Sequence, residues 1–183
     1  MQQKIIITGG PGTGKSTIIE KLMKLNYTCM QEISREITLT ARKNGEEQLF
    51  LKNPHLFSEL LLKGRERQFL EADINKAKII FFDRGIPDIH GYMNYLGVDY
   101  SEAYIQKCEK CRYTQVFMLP PWQKIYITDN ERYESFEQSL AIYNHLKKAY
   151  NKLNYTITEV PIGSIQQRVD FILNNVQKPY EIC

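Results

Sequence analysis

KIIITGGPGTGKSTIIEKL, Lys4 to Leu22, joins three patterns whose order decides the fold. Lys4–Thr8 is a short β-branched apolar run of the kind that forms a buried strand. The glycine-rich turn that follows fits G-x-x-x-x-G-K-[ST], with Gly9, Gly14, Lys15 and Ser16 in the fixed places. Ile18, Leu22 and Leu25 then recur at helical spacing. A strand, a glycine turn and a helix in this order make a phosphate cradle. Backbone N–H groups of Gly9, Gly10, Pro11, Gly12, Thr13, Gly14, Lys15, Ser16 and Thr17 (proline excepted, having none) can wrap phosphate oxygens, and the helix adds its positive N-terminal end. Lys15 is placed to reach the β- and γ-phosphates of a nucleoside triphosphate, and the Ser16 hydroxyl to ligate Mg²⁺.

Working outward, strand and helix patterns alternate to the end of the chain. Tyr27–Glu32 reads as a second strand, Ile79–Asp83 as a third, Thr114–Leu119 as a fourth and Tyr155–Pro161 as a fifth. Helical stretches are expected at 34–44, 54–76, 87–96 and 101–112, and over a long segment after residue 135 with Phe136, Leu140, Tyr143, Tyr150 and Leu153 on one face. A last helix carries Ile165, Val169, Ile172 and Val176 in register. Such alternation implies a parallel sheet covered by helices on both faces. In that architecture ligands bind beyond the carboxyl ends of the strands. Those ends carry Thr8–Gly9, Glu32, Asp83–Arg84 and Pro120.

The 183 residues suit one domain, 1–183, with a lid over about 120–135. Net charge is +3, and lysines and arginines alternate with acids, so no basic face for nucleic acid is legible. No apolar run is long enough to span a bilayer, and no signal-peptide pattern precedes the first strand, so a cytoplasmic location is expected. Cys108 and Cys111 form a C-x-x-C, but this falls in a helical stretch and lacks the second pair that a zinc site requires. His55, His90 and His145 have no partners at metal spacing.

The remaining motifs choose among nucleotide-using machines. A guanine-reading N-K-x-D is missing: Asn75–Lys78 is NKAK and Asn151–Asn154 is NKLN. A motor-type ATPase commonly sets a water-polarising glutamate beside its magnesium aspartate. Here the neighbour of Asp83 is Arg84. A kinase must bind an acceptor, neutralise the moving phosphoryl group and exclude water. Glu32 and Arg35, in the stretch EISR, are candidates for acceptor binding. Asp83 can hold Mg²⁺ or face the acceptor hydroxyl. Arg84 is either an ion-pair partner of Asp83 or Asp88, or a substrate contact. Asp88 serves the start of the next helix. Trp122, as the only tryptophan, is expected either in the core or stacked on a base.

Taken together, TGGPGTGKST (Thr8–Thr17), EISRE (Glu32–Glu36), FFDRGIPD (Phe81–Asp88), FMLPPWQKIYITDNERYESFE (Phe117–Glu137) and EVPIGSIQQRVDFIL (Glu159–Leu173) resemble the ATPase and kinase-like proteins with AAA-type ATP-binding domains. That group is similar to the nicotinamide riboside kinase domain and, more distantly, to deoxynucleoside and thymidylate kinases. The resemblance spans nearly the whole chain. It implies a P-loop kinase fold, a three-layer sandwich on a five-stranded parallel sheet of order 2-3-1-4-5. The polar segment before the long helix, with Trp122, Arg132 and Glu134, itself suits a lid whose arginine closes over the β- and γ-phosphates. The resulting expectation is an ATP- and Mg²⁺-dependent kinase of a small-molecule acceptor, nucleoside or nucleotide-like. Catalytic roles fall to Lys15, Asp83, Arg132 and Glu32, acceptor contacts to Glu32, Arg35 and Arg84, and metal ligation to Ser16 and Asp83. The alternatives are an ATP-driven switch read by a protein partner and a polynucleotide 5′-kinase.

Overall fold

The structure is a computed structural model that describes residues 2–126 and 134–176. Its five strands are β1 (Gln3–Gly9), β2 (Thr28–Met30), β3 (Ile79–Asp83), β4 (Gln115–Leu119) and β5 (Ile157–Glu159). They form one all-parallel sheet of order β2-β3-β1-β4-β5, as the resemblance implies. Eight helices lie among the described residues: α1 (Lys15–Lys24), α2 (Ser34–Lys43), α3 (Leu49–Lys52), α4 (Pro54–Ile74), α5 (Ile86–Leu96), α6 (Glu102–Lys110), α7 (Phe136–Lys152) and α8 (Ile165–Asn175). The four-residue α3 was not foreseen. It is too short to show a period, and its N-cap Gln48 has a positive φ of 56°.

Side chains alternate across the pleat, and this divides the core in two. Ile5, Ile7, Phe81 and Phe117 face α1 and α8, where they meet Ile18, Leu22, Val169 and Ile172. Ile6, Ile80, Phe82, Val116 and Met118 point to the other side, against Ile142, Leu146 and Tyr150 of α7. A third cluster joins Ile33, Phe57 and Leu61 to Ile89 and Met93 of α5, under the α2–α4 side.

Three apolar residues assigned to buried helix faces prove exposed. Leu25 caps the end of α1, Ile165 opens α8, and Leu140 of α7 is 46% accessible. The buried stripe of α7 instead runs through Ser139, Ile142, Tyr143, Leu146, Ala149 and Tyr150. Its rotation is set by α5: a Cβ at Gly91 would stand 2.6 Å from Leu146 Cδ2 and 2.9 Å from its Cα, so the two helices pack backbone to side chain there. A glycine on a neighbouring helix leaves no mark on the pattern of α7 itself. Trp122 is neither in the core nor fully exposed; it precedes a 3₁₀ turn at Gln123–Ile125.

Candidate active site

The glycine-rich loop runs from the end of β1 to the first turn of α1. Gly12 has φ 73°, and a Cβ there would lie 2.4 Å from the ring of Tyr126. Only glycine meets both the conformation and the space. The loop is held from outside. Ser139 Oγ donates to Pro11 O (2.6 Å), Arg168 Nη2 to Thr13 O (2.7 Å), and Thr13 Oγ1 to Gly10 O (3.0 Å). At the head of α1, the N-cap is Gly14, with no side-chain cap and no acid in the first turn. The first N–H groups of that helix therefore have no anionic competitor on their own element and suit a phosphate. Ser16 and Thr17 are exposed there.

Lys15 is folded back into the loop, donating to Gly10 O at 2.7 Å and to Thr13 Oγ1 at 3.4 Å. Burial first, and then the charge of Arg84, lower its pKa to about 7. A triphosphate in the cradle would offer the ammonium a far better acceptor than a neutral carbonyl.

Asp83 ends β3, in register with Ile7, two residues before the loop begins. It is buried, and its Oδ1 has no hydrogen-bond partner. Burial, followed by the nearby Glu32 carboxylate, raises its pKa to about 6. An orphaned carboxylate oxygen beside a phosphate cradle, with the Ser16 hydroxyl available, is a hard oxygen donor set of the kind Mg²⁺ takes. These residues fit the ion.

The β2–β3 ladder ends at Met30↔Phe82. Two residues further along each chain stand Glu32 and Arg84, which meet through Arg84 Nε and Glu32 Oε2 at 2.6 Å. Arg84 has a positive φ of 71°. Its Nη1 donates to Gly9 O and to Asp88 Oδ1, both at 3.1 Å, and its Nη2 to Tyr92 Oη at 3.1 Å. Glu32 also receives Arg65 Nη2 (3.3 Å) and Ser34 N (3.1 Å) on Oε1. Burial alone would raise the pKa of Glu32, but Arg65, Arg84 and the Ser34 N–H outweigh it and hold the carboxyl below its usual range.

Behind this pair lies Asp88, fully buried. It accepts from Thr8 Oγ1 (2.5 Å), Tyr150 Oη (2.6 Å), Gly85 N (2.8 Å) and Arg84. The helix-start role expected of it holds, since it closes a capping box on Gly85. It also ties β1 to α5 and α7. Burial would raise its pKa, yet Arg84 first and Arg65 next keep it depressed. A depressed carboxylate contributes stability that is present above its unfolded pKa and lost as the pH falls through the folded value. Asp88→Asn leaves Arg84 paired with Glu32 but removes the second of its two carboxylates, and is expected to cost about 1–3 kcal/mol. Urea titrations across pH 3–7 check this: the wild-type protein should lose stability below about pH 4 and the variant should show a flatter acid limb. A loss under about 1 kcal/mol at pH 7 would mean that the network does not hold the fold together.

The structure thus brings together Lys15, Asp83, Glu32 and Arg84. Arg35 is exposed in the first turn of α2. Arg132, and most of the expected lid, lie outside the described residues. Tyr126 Oη donates to Glu134 O at 2.5 Å and so joins the two residues flanking 127–133. Sequence reasoning missed Arg65, Tyr92, Tyr150 and Arg168. Arg65 is 3% exposed while Arg67, two residues on, is open to solvent; in KGRERQ nothing local separates the two. Cys108 is buried with its Sγ 3.1 Å from His90 Nε2, and its thiol is pushed up to about 12, chiefly by burial. Cys111 is buried as well, and both thiols belong to the core cluster around Ile6 and Phe82.

A cavity of about 650 Å³ lies elsewhere: an open groove between α2 and α4, touching Ile33, Thr40, Leu49, Leu60 and Gly64. It holds none of the cluster just described. No helix among the described residues is long and apolar enough to cross a membrane.

Solved structures share this architecture. A deoxyadenosine kinase from M. mycoides, with the products dCMP and dCDP, superposes with a TM-score of 0.70 at 21% identity, over 95% of this chain and 98% of that one. The NadR protein in complex with NR gives 0.72 at 14%, over 94% of this chain and 49% of that one. Thymidylate kinase from Ehrlichia chaffeensis gives 0.62 at 17%, over 96% and 99%. At these identities the likeness establishes the P-loop kinase fold. No curated protein matches the sequence. Residues 4–168 match the family described as AAA domain, and the chain belongs to that family.

Proposed function

We propose that the chain is an ATP- and Mg²⁺-dependent phosphotransferase for a small-molecule acceptor, nucleoside or nucleotide-like. The observation that carries this reading is a pair of unlike carboxylates at adjacent strand ends. Asp83 is buried with an oxygen unpartnered next to the phosphate loop, and Glu32 is fixed by two arginines one strand over. One acid is available to the nucleotide side and the other to an acceptor. A hydrolase would keep a water-polarising group beside Asp83, whereas Arg84 is turned onto Glu32, Asp88 and Gly9. The nucleoside and nucleotide kinases that share the fold support an acceptor of that type.

In this reading residues 9–17 bind the triphosphate. Lys15 leaves the Gly10 carbonyl for the β- and γ-oxygens, where its charge counts most as the phosphoryl group moves. Ser16 and Asp83 would hold Mg²⁺, which when bound neutralises charge on the β- and γ-phosphates. Glu32 accepts a hydrogen bond from the acceptor and orients it. Its depressed pKa makes it a weak proton sink, which suffices for a loose phosphoryl-transfer transition state. Arg84 and Arg65 position Glu32. Arg35 borders the acceptor side, and Arg132, outside the described residues, is the proposed source of further positive charge on the phosphates. The experiment is a transfer screen with γ-labelled ATP over nucleosides, nucleotides, vitamins and short oligonucleotides. Label on one acceptor class supports the proposal. Slow hydrolysis indifferent to every acceptor would favour a regulatory switch.

A further inference from the structure

The acceptor side differs from the nucleotide side in how its cations are used. All three nitrogens of Arg84 are engaged by protein groups, namely Glu32, Gly9 O, Asp88 and Tyr92. Arg65 donates one terminal nitrogen to Gly85 O at 2.6 Å and the other to Glu32. Both arginines are buried residues. Turning either toward a ligand would strand the Glu32 or Asp88 carboxylate without its counter-charge. The most accessible member of the network is an anion: the Glu32 side chain is 18% exposed, against 10% for Arg84 and 4% for Arg65.

A second observation concerns what adjoins the Arg84 end of the pair. Tyr92, half-buried, accepts from Arg84 and lies with its ring centroid 5.2 Å from the guanidinium carbon. Phe50, also half-buried, meets Tyr92 edge to face at 6.2 Å and Phe57 at 5.5 Å. The half-buried rings of Tyr92 and Phe50 thus continue from the ionic cluster, and what they leave accessible is aromatic surface, the kind an uncharged ring packs against.

Resting on the phosphotransferase reading above, we propose that the group phosphorylated is a neutral hydroxyl of a nucleoside-type alcohol, and that Glu32 excludes phosphate monoesters from that position. The hydroxyl donates to Glu32. Its oxygen forms the new bond to the γ-phosphorus as the bond from that phosphorus to the β–γ bridging oxygen breaks. ADP leaves with the electron pair, and the hydroxyl proton passes by Glu32 to solvent. A monoester dianion in the same place would set its charge against a carboxylate that two buried arginines keep ionised. Nothing in the Glu32–Arg84–Arg65 cluster could turn to neutralise it without breaking a buried pair.

The test uses matched acceptors: deoxyadenosine and dAMP, cytidine and CMP, thymidine and dTMP, guanosine and GMP, nicotinamide riboside and its mononucleotide. With the full chain, Mg²⁺ and γ-labelled ATP, at least one nucleoside should be labelled. Its kcat/KM should exceed that of its own monophosphate by at least about a hundredfold, the discrimination a buried polar site makes between a fitting and a misfitting group. Glu32→Gln should narrow that ratio by at least about tenfold, because it removes the fixed negative charge. Equal or faster labelling of a monophosphate would overturn the proposal and leave the phosphotransferase reading standing. Loss of such labelling in Arg35→Ala would then place the phosphate on Arg35. A ratio unchanged in Glu32→Gln would also overturn it. No label on any member of any pair would sink the phosphotransferase reading, and this proposal with it.

Discussion

Lys15→Ala is expected to abolish acceptor-dependent ATP turnover, a loss of at least about a hundred- to a thousandfold, the scale of removing one preorganised charge from a transferring group. The same substitution should leave the fold intact. In the structure the Lys15 ammonium is held by a neutral carbonyl and a threonine hydroxyl, inside a loop where burial and Arg84 drive its pKa down to about 7. A lysine whose folded pKa lies below the unfolded one costs stability at low and neutral pH, and the cost fades as the pH rises toward 10.5. Removing it at pH 7 should therefore hold the melting temperature or raise it. Thermal melts beside steady-state assays separate the two effects. An inactive variant with a lowered melting temperature would point to misfolding, and near-normal turnover would refute the phosphate-loop assignment.

Asp83→Asn should lower phosphoryl transfer by at least about a hundredfold, the scale of losing a positioned base or a metal contact. The structural ground is the orphaned Oδ1. A buried carboxylate oxygen without a partner is costly, and it persists where a ligand supplies the partner. Burial and Glu32 raise the pKa of Asp83 to about 6, so ionising it in the empty protein costs stability, and the cost grows as the pH rises from about 4 through 6. Asparagine is then expected to be neutral or stabilising without ligand. Titrating Mg²⁺ in the presence of ATP gives a direct readout: the variant should need at least about ten times more metal for half-maximal turnover. Glu32→Gln is the control. It should damage acceptor use while lowering acceptor-free hydrolysis far less than Asp83→Asn does. If both variants suppress acceptor-free hydrolysis to the same extent, Glu32 belongs to the ATP side.

The order strand, glycine turn, helix in Lys4–Leu22 was enough to locate the phosphate loop, because every constraint involved is local. The backbone needs φ near 73° at Gly12 and 84° at Gly14, and the helix must open right after. Strand positions were legible for the same reason: Ile5, Phe81 and Phe117 are buried on one face of the sheet and their neighbours Ile6, Phe82 and Val116 on the other, so the strands read as continuous apolar runs. The aspartate at the end of β3 could be picked out by the rule that strand ends carry chemistry.

What only the tertiary structure decided is who pairs with whom among the charges. Arg84 stood next to Asp83 in the chain, and a bond to that neighbour was an open reading. It bonds Glu32, 52 positions earlier, because β2 and β3 lie side by side in register and both chains run two residues past the last paired positions. Arg65 joins them from the middle of α4, where its immediate sequence looks like any solvated helix face. Asp88 read as a cap and proved to be an anchor as well, since Thr8 and Tyr150 reach it from β1 and α7. Local patterns report backbone geometry and which face is apolar, and both are properties of a few consecutive residues. A buried charge is tolerated only with partners, and those partners come from strands and helices that meet only after the sheet has formed.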